Sequence, residues 1–386
     1  MLVEYGRQDR PRLRTEALLP LHVPGGTGAL HRRAGRRSDP AALDAIAAAF
    51  ARHRRGPQDV MYLKENAELL NIVETTGLAA GTRLGRHYRA FHAGAPGFLA
   101  FFPQYYRFIL SIAGDAEALG LAAGVAEGLA ARVARLRLAE GEVSDLQRME
   151  ARRLCARHGI RVLQEDGGLD DRAIAFMSRP AAFAVPNRKA AYDLTHFIFY
   201  LTEYGRSRVE LPEAVIGSLT NTGLIAMMEE DIDLLSEVCI ALRWLGRRPP
   251  ELWESYIAGD LADFEIFRTE PDDPAAQQDD YHPFLVANWH QAVAGAAAFA
   301  HAARPGRLVF RRRPENRCTL TEISQILLQL TRENRMTIGN LFERLPDGLS
   351  PRSRRVFETV GRSSPQFEEF LHRFCHRTLG VDVGAS

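Results

Sequence analysis

Lysine is almost missing from this sequence: Lys64 and Lys189 are the only two, and arginine supplies the other basic residues. The 49 basic residues are balanced by 48 acidic ones, so the net charge is +1. A charge this small creates no strong field that would attract nucleic acid or an anionic membrane surface. The arginine bias is typical of a GC-rich bacterial genome. We therefore expect a bacterial protein without a nucleic-acid partner.

Cysteine and long apolar runs are scarce as well. The four cysteines are widely spaced and form no CxxC pair, which is typical of a reducing compartment rather than of a disulfide framework. No stretch approaches the roughly 18 uncharged apolar residues of a membrane-spanning helix, and residues 1–20 lack the apolar core of a signal peptide. We expect a cytoplasmic protein with no membrane span.

The common catalytic sequence motifs are also absent. The chain contains no Walker loop and no GxGxxG, HExxH or GxSxG element. Their absence disfavours nucleotide-binding, zincin and serine-hydrolase chemistry.

What the sequence does contain is helix after helix, with no convincing run of strand-like alternation. Residues 1–40, rich in Arg, Pro and Gly, are predicted as a basic N-terminal arm, and residues 41–386 as one domain of helical hairpins. Ser38 or Asp39 is the expected N-cap of the first helix, ahead of Pro40. Two longer breaks, at 259–283 and 305–316, are predicted as loops at the ends of hairpins.

The helices repeat with a period of roughly 40 residues, as in a helical-hairpin repeat. Five glycines follow apolar helices, as C-terminal glycine caps do, and polar residues lie nine positions before them. Because a buried polar group costs several kcal/mol unless it is satisfied, these polar residues need a shared polar space. We predict that Glu68, Glu150, His196, Glu237, His282 and Glu322 face one common space. The capping glycines are Gly77, Gly114, Gly159, Gly205 and Gly246, and Tyr105 is the residue in this position before Gly114.

This series of hairpins resembles the (α/α)-toroid proteins, which include terpenoid cyclases, prenyltransferase subunits, lanthionine cyclases and several carbohydrate-active enzymes. The resemblance covers residues 41–386 and concerns architecture alone, because the chain has no aspartate-rich DxDD cluster and only three tryptophans. It implies an all-α fold whose hairpins close into a toroid around a lumen. A tightly curved α-solenoid, with the same positions on a concave face, is the alternative.

The first candidate cluster lies in residues 191–205, AYDLTHFIFYLTEYG, which are predicted as a buried helix with one polar line. At about 100° per residue, Asp193, His196, Tyr200 and Glu203 fall within an arc of roughly 80°. A histidine flanked by carboxylates one turn away suits a general base or a divalent-metal ligand. The alternative is a buried structural network in which His196 bonds to a facing helix.

The second candidate cluster is a run of carboxylates in which Glu230, Asp233 and Glu237 share one face. Like charges packed so closely raise one another's pKa or bind a cation. A carboxylate-rich helix N-terminus is the alternative, and it explains residues 229–231 better than Glu237. His282 lies directly before Pro283, at the start of a later predicted helix. Its side chain is expected either in the lumen or in a surface loop.

These clusters predict an enzyme that acts on a small molecule or peptide in the lumen by acid–base or divalent-metal-assisted chemistry. A non-catalytic helical-repeat module that binds a peptide or another partner is the alternative. Because histidines and carboxylates in pairs titrate usefully near neutrality, we favour the enzyme. The candidate catalytic residues are His196, Asp193, Tyr200, Glu203, Asp233, Glu237 and His282. A divalent metal would be held by His196, Glu230, Asp233 and His282.

Overall fold

Helices make up nearly all of the regular structure in the part of the chain that the computed structural model describes. That part comprises residues 38–56, 59–79, 82–270, 279–312, 318–332 and 344–379, all within the compact unit Gly35–Ser386. The arm predicted for residues 1–40 lies almost entirely outside the described residues. The all-α class is confirmed.

Among the described residues, twelve helices precede residue 295, and they form six successive pairs along the chain. The first members of the pairs are α1 Pro40–Arg52, α3 Arg89–Phe101, α5 Val125–Arg135, α7 Leu169–Met177, α9 Glu213–Glu229 and α11 Glu251–Ala262. The second members are α2 Val60–Thr76, α4 Tyr106–Ala118, α6 Asp145–Ala156, α8 Arg188–Leu201, α10 Ile232–Trp244 and α12 Tyr281–Ala294. Three further helices follow within residues 318–332 and 344–379: α13 Thr319–Arg332, α14 Pro351–Ser363 and α15 Phe367–Leu379. Short 3₁₀ turns lie at Leu84–Tyr88, Pro103–Tyr105, Ala139–Gly141 and Pro180–Ala182.

A two-stranded ribbon corrects the sequence-based prediction that both longer breaks are loops. Strand β1, Glu265–Arg268, pairs antiparallel with β2, Leu308–Arg311, so that Glu265 lies opposite Arg311. Each strand has only four residues, too few to show the alternation by which a strand is recognised in sequence. The pairing is held by backbone hydrogen bonds between segments about 40 residues apart.

The second members of the pairs contact one another in sequence order and then return to the start. Helix α2 contacts α4, α4 contacts α6, α6 contacts α8, α8 contacts α10, α10 contacts α12, and α12 contacts α2. Each first member contacts the second member that follows it. Helices α13 and α14 pack on α9, and α15 packs on both of them. One apolar cluster extends from Leu43 in α1 to Cys375 in α15.

Arg54 ties the beginning of this arrangement to its end. Its guanidinium donates from Nε to Glu65 of α2 at 2.9 Å and from Nη2 to Asp279 at 2.7 Å. Nη1 donates to the carbonyl oxygen of Leu308 at 2.6 Å, and the group lies over the ring of Phe50. Arg54 is buried, so all of its charge must be met by these partners.

Helix ends follow the local chemistry in most cases. Asp39 is the N-cap of α1, and its carboxylate accepts from the Ala41 amide at 2.9 Å, which confirms one of the two predicted caps. Four of the five predicted cap glycines have left-handed φ angles: Gly77, Gly159, Gly205 and Gly246. Gly114 is the exception, because it lies inside α4. The His158 ring packs so closely there that a Cβ would meet its Nε2 at 2.9 Å.

The end of α8 corrects a second prediction. The helix stops at Leu201, and the predicted continuation to residue 205 is wrong. Glu203 and Tyr204 have positive φ angles of 48° and 54°, and the amide of Tyr204 donates to the carbonyl of Phe199 at 2.8 Å. Because the chain turns out of the helix here, Glu203 does not continue the line formed by His196 and Tyr200.

Among the described residues, no helix is both long enough and apolar enough to cross a lipid bilayer.

Gly205 and Gly246 form a matched pair for testing the helix ends. Both have left-handed φ angles, 81° and 72°, but only at Gly205 does a neighbour crowd the backbone: a Cβ would lie 2.4 Å from Nε1 of Trp244. Gly246→Ala should therefore lower the free energy of unfolding by about 1–2 kcal/mol through left-handed strain alone. Gly205→Ala should lower it by at least about 1 kcal/mol more, because Trp244 must also move. Urea unfolding measures both, and equal losses would contradict the packing of Trp244 on Gly205.

Candidate functional site

One cavity has walls from all six second-member helices, α2, α4, α6, α8, α10 and α12, and we call it the six-helix cavity. Its volume is about 320 Å³, which is in the range of sites for small ligands. The wall combines charged and apolar side chains. Among the polar ones are Lys64, Glu68, Arg107, Glu150, Arg153, His196, Glu237 and His282, and among the apolar ones Phe108, Leu154, Phe199, Leu285, Val286 and Trp289.

Most of the polar positions predicted from the repeat meet in this cavity. Glu68, Glu150, His196, Glu237 and His282 all line it, one from each of five helices. Glu322 does not line it. Its carboxylate accepts hydrogen bonds from the amide and the hydroxyl of Ser350, at 2.9 and 3.0 Å.

On α4 the cavity-facing residues also differ from the predicted one. Arg107, Phe108 and Ser111 line the cavity, whereas Tyr105 lies in the 3₁₀ turn before the helix. The register was wrong because Gly114, from which it was counted, is an interior residue of α4 and not its cap.

Glu237 is the most deeply buried acid of the cavity, with 2% of its surface exposed. It lies in the middle of α10, so the favourable field at a helix N-terminus does not explain an acid at this position. Oε2 accepts a hydrogen bond from the Thr195 hydroxyl and lies 3.6 Å from Nδ1 of His196. Burial raises the pKa of Glu237 to about 7, and the attraction of His196 opposes this only in part. The carboxyl group therefore changes its protonation state near neutral pH.

In the neutral ring of His196, Nε2 is the nitrogen that can accept a hydrogen bond or a proton. Its Nδ1 lies 2.8 Å from the backbone carbonyl oxygen of Tyr192. Since a carbonyl oxygen only accepts, Nδ1 carries the hydrogen, and Nε2 of the neutral ring keeps a lone pair. This tautomer is assigned from the hydrogen bond. The side chain is 33% exposed, so solvent or a ligand has access to it.

His282 forms a partly buried ion pair at the start of α12. Nδ1 lies 2.8 Å from Oδ2 of Asp233, and Nε2 lies 3.5 Å from Oε1 of Glu68. Burial alone would favour the neutral ring, but the carboxylates of Glu68 and Asp233 outweigh it and raise the pKa of His282 to about 9. At neutral pH His282 is therefore an imidazolium.

The pKa of Asp233 shifts in the opposite direction to that of His282. Burial would raise the pKa of Asp233, yet the positive ring of His282 and hydrogen bonds from His282 and Tyr192 hold it below its usual value. The Tyr192 hydroxyl donates to Oδ2 at 2.8 Å. Oδ1 is buried and has no hydrogen-bond partner among the described residues. Lys64 completes the polar chain by pairing with Glu68 at 2.8 Å.

Three of these residues have the geometry to share a divalent cation. The ligand atoms of Asp233, Glu237 and His282 lie within 4.8 Å of one another, and within the described part of the chain they form the one group of this kind. Two carboxylates and an imidazole suit a borderline or hard divalent metal. A bound cation would displace the proton of His282. The predicted metal set thus shares Asp233 and His282 with this group.

The remaining predicted residues lie apart from this group. Tyr200 is buried and lines the cavity. Asp193 pairs with Lys189 one turn earlier, at 2.5 Å, and Glu203 pairs with Arg153 at 2.8 Å; neither lines the cavity. Glu230 ends α9 in a left-handed conformation. Its carboxylate accepts from Thr319 and Arg352 and so holds the C-terminal helices on α9.

Sequence reasoning missed the basic residues of the cavity. Arg107 pairs with Glu142 at 2.9 Å and also with Glu150, and Arg153 follows Glu150 by three residues on the same face of α6. That i, i+3 spacing from Glu150 was the available signal. It was hidden because residues 148–157 contain four arginines, a composition typical of a solvated helix face.

The raised pKa of Glu237 predicts the direction in which stability changes with pH. The native state binds this proton more tightly than the unfolded state, whose carboxyl has a pKa near 4.5, so stability is lost as pH rises from about 4.5 to about 7. The full loss is about 3 kcal/mol. In Glu237→Gln this loss is absent, so the variant should gain about that much relative to wild type between pH 4 and pH 8. Urea unfolding across this range measures it, with Glu213→Gln, an exposed acid, as the control. A gap that does not change with pH would contradict the burial of a titrating Glu237.

The ion pair of His282 makes a prediction in a higher pH window. Its raised pKa means that the pair stabilises the native state fully below about pH 6.5 and less as pH rises through 9. His282→Gln should therefore be less stable than wild type at pH 6, and the difference should shrink by about 2–3 kcal/mol at pH 9.5. Unfolding curves at the two pH values test this. A difference that is equal at both would show that folding does not raise the pKa of His282.

The comparisons with known proteins add a family but no activity. No curated protein and no solved structure matches the chain. Residues 28–377 match the model of a family described as a domain of unknown function, DUF6902. The match includes every residue of the six-helix cavity and most of the chain. The chain therefore belongs to the DUF6902 family.

Proposed function

We propose that this protein is an enzyme that carries out proton-transfer chemistry on a small molecule held in the six-helix cavity. The observation that carries the proposal is the meeting of Glu237 with His196 and His282 at one part of the cavity wall. A buried acid beside an accepting imidazole and a charged imidazolium is the arrangement that general acid–base catalysis requires.

Each group has a role that follows from its surroundings. His196, whose Nε2 keeps a lone pair, is the base. His282, held as an imidazolium by Asp233 and Glu68, donates a hydrogen bond to negative charge that develops on the substrate, or gives it a proton. Glu237, which titrates near neutrality and lies 3.6 Å from Nδ1 of His196, stabilises the imidazolium that forms when Nε2 of His196 takes the proton.

The cavity favours a small molecule over a peptide. Its volume of about 320 Å³ corresponds to a ligand at the small end of the usual range. A peptide would need an extended groove with free backbone partners. The four free cysteines support a reducing compartment such as the cytoplasm.

We also infer that the hairpins close into an (α/α) toroid of six inner and six outer helices. The return contact from α12 to α2 supports closure over an open solenoid, in which the first and last hairpins would not meet. The bonds of Arg54 to Glu65, Asp279 and Leu308 support it as well. In this architecture the six-helix cavity is the lumen.

Metal-assisted chemistry is a second candidate, favoured by the spacing of Asp233, Glu237 and His282. In that case the cation would polarise a substrate oxygen or activate a bound water. It would occupy the same wall of the cavity, so the two mechanisms exclude each other at this place.

A substrate search with matched variants tests the proposal. Wild-type protein is incubated with a small-molecule extract of bacterial cells, and mass spectrometry follows which compounds are consumed. Glu237→Gln and His196→Gln should each lower the rate of consumption at least about 100-fold, because each removes an acid or base. Glu213→Gln, on the protein surface, should leave it unchanged. Consumption that survives dialysis against EDTA supports acid–base chemistry, and consumption that EDTA abolishes supports the metal-assisted alternative.

Unfolding curves of the same variants separate an enzyme from a binding module. If Glu237 serves catalysis, Glu237→Gln should be as stable as wild type or more stable at pH 7.5, because catalytic groups are held at a cost to stability. If the polar groups form only a structural network, the change should lower stability by about 1–3 kcal/mol by leaving partners unsatisfied. A stability loss of that size together with no compound consumed would leave the binding module as the function.

A further inference from the structure

Arg153 is a buried cation that the fold leaves incompletely satisfied. It lies on α6, is 5% exposed and lines the six-helix cavity. Its Nε lies 2.8 Å from Oε2 of Glu203, an ion pair whose angles do not make a hydrogen bond. Within the described residues, Nε and Nη2 have no hydrogen-bond partner. A guanidinium has five N–H groups, and leaving them unmet in a buried place is costly.

A second unmet donor lies nearby. Trp289, on α12, also lines the cavity, is 5% exposed, and has a buried Nε1 without a partner among the residues described. The ring of Tyr204 connects the two. The Arg153 guanidinium lies 4.3 Å from its centroid, and the Trp289 ring stacks on it with centroids 5.9 Å apart and planes at 28°. Two side chains whose donors lack a partner among the described residues thus contact the same aromatic ring.

The walls around these donors are apolar. Phe199 and Leu154, on α8 and α6, and Leu285 and Val286, on α12, all line the cavity. Phe199 packs edge-on against Trp289 with centroids 5.1 Å apart. Such a wall gains free energy by burying hydrocarbon, whereas a purely inorganic ion would leave it dry and unfilled.

We propose that the six-helix cavity binds a small organic carboxylate, with its carboxylate on Arg153 and Nε1 of Trp289 and its apolar body against Phe199, Leu154, Leu285 and Val286. The two oxygens of a carboxylate match the fork of an arginine. This inference rests on the proposed function and names the substrate class of the same cavity. The carboxylate end is the anchor, and the part of the molecule beyond it reaches Glu237, His196 and His282.

Charge selects a carboxylate over a phosphate. Glu203 lies 2.8 Å from Arg153, and Glu150 lines the same cavity beside Arg107. These acids tolerate one added negative charge next to Arg153 better than the two of a phosphate dianion. A neutral amide of the same shape would bring an N–H group toward donors that need acceptors, and it would be rejected for that reason.

Binding of matched probes tests the inference. Isothermal titration calorimetry at pH 7.5 compares acetate, butyrate, benzoate and 3-phenylpropionate with the amide of each and with inorganic phosphate. Wild-type protein should bind at least one carboxylate about tenfold or more tightly than its amide and than phosphate. Arg153→Gln should weaken that carboxylate about tenfold or more and the amide little. Arg148→Gln, which removes an arginine of the same helix that pairs with Asp166 outside the cavity, should change neither.

The inference fails if no carboxylate of the series binds wild-type protein, or if the amide or phosphate binds as tightly as the carboxylate. It also fails if Arg153→Gln binds the carboxylate as tightly as wild type does. Should Arg153→Gln not fold, the comparison of carboxylate with amide on wild-type protein decides. Arg153→Lys, which keeps the charge and loses the fork, then replaces it and should show weakened carboxylate binding.

Glu237→Gln keeps this test separate from that of the proposed function. It should bind the carboxylate as wild type does, because Glu237 is not part of the anchor, while its turnover is lost. Loss of turnover without selective carboxylate binding in wild-type protein would reject the ligand class and keep the enzyme. Selective binding without turnover in wild-type protein would do the reverse.

Discussion

A carboxylate or an imidazole that is taken out of water must find a counter-charge or a hydrogen bond, and this constraint governs the inner faces of the six second-member helices. Lys64, Glu68, His282 and Asp233 form one continuous chain of opposite charges, which joins α2 to α12 and α10. Next to this chain of charges, Arg54 supplies the counter-charge for Glu65 and Asp279. The first and last hairpins are therefore joined by charge pairs, of which those of Arg54 are buried and costly to break one partner at a time.

At the cavity, several buried polar groups do not meet this constraint. Glu237 is buried with too little positive charge beside it, Oδ1 of Asp233 has no partner among the described residues, and Arg153 and Trp289 keep unmet donors. All but Asp233 line one cavity of about 320 Å³, and Asp233 bonds to its wall through His282. Other buried polar atoms without a partner lie elsewhere in the described residues, among them Oγ of Ser178 and Nδ1 of His301. Those at this cavity include donors of two side chains that both contact Tyr204, beside groups that titrate, and this combination is typical of a ligand site.

Two groups of polar side chains in the cavity have complementary characters. Arg153 and Trp289 present donors beside an aromatic wall, while Glu237, His196 and His282 present groups that exchange protons. In the proposed binding mode, a molecule anchored on Arg153 and Trp289 would present its remaining atoms to the second group, which would convert binding energy into orientation. The family description carries no activity, so the proposed division between anchoring and reacting groups rests on the residues of the cavity alone.

The sequence by itself determined the helical class, the N-cap at Asp39, the left-handed glycines that end four helices, and the period that places Glu68, Glu150, His196, Glu237 and His282 around one cavity. These follow from local rules, since capping, glycine conformation and helical periodicity act over a few residues. Only the tertiary structure decided that Gly114 is an interior residue under His158, that α8 ends before Glu203, and that β1 pairs with β2. It alone also brought Arg153 inside and sent Glu230 to Arg352. Each of these depends on a partner from a distant part of the chain, and residue spacing carries no information about which distant side chain will supply the compensating charge or contact.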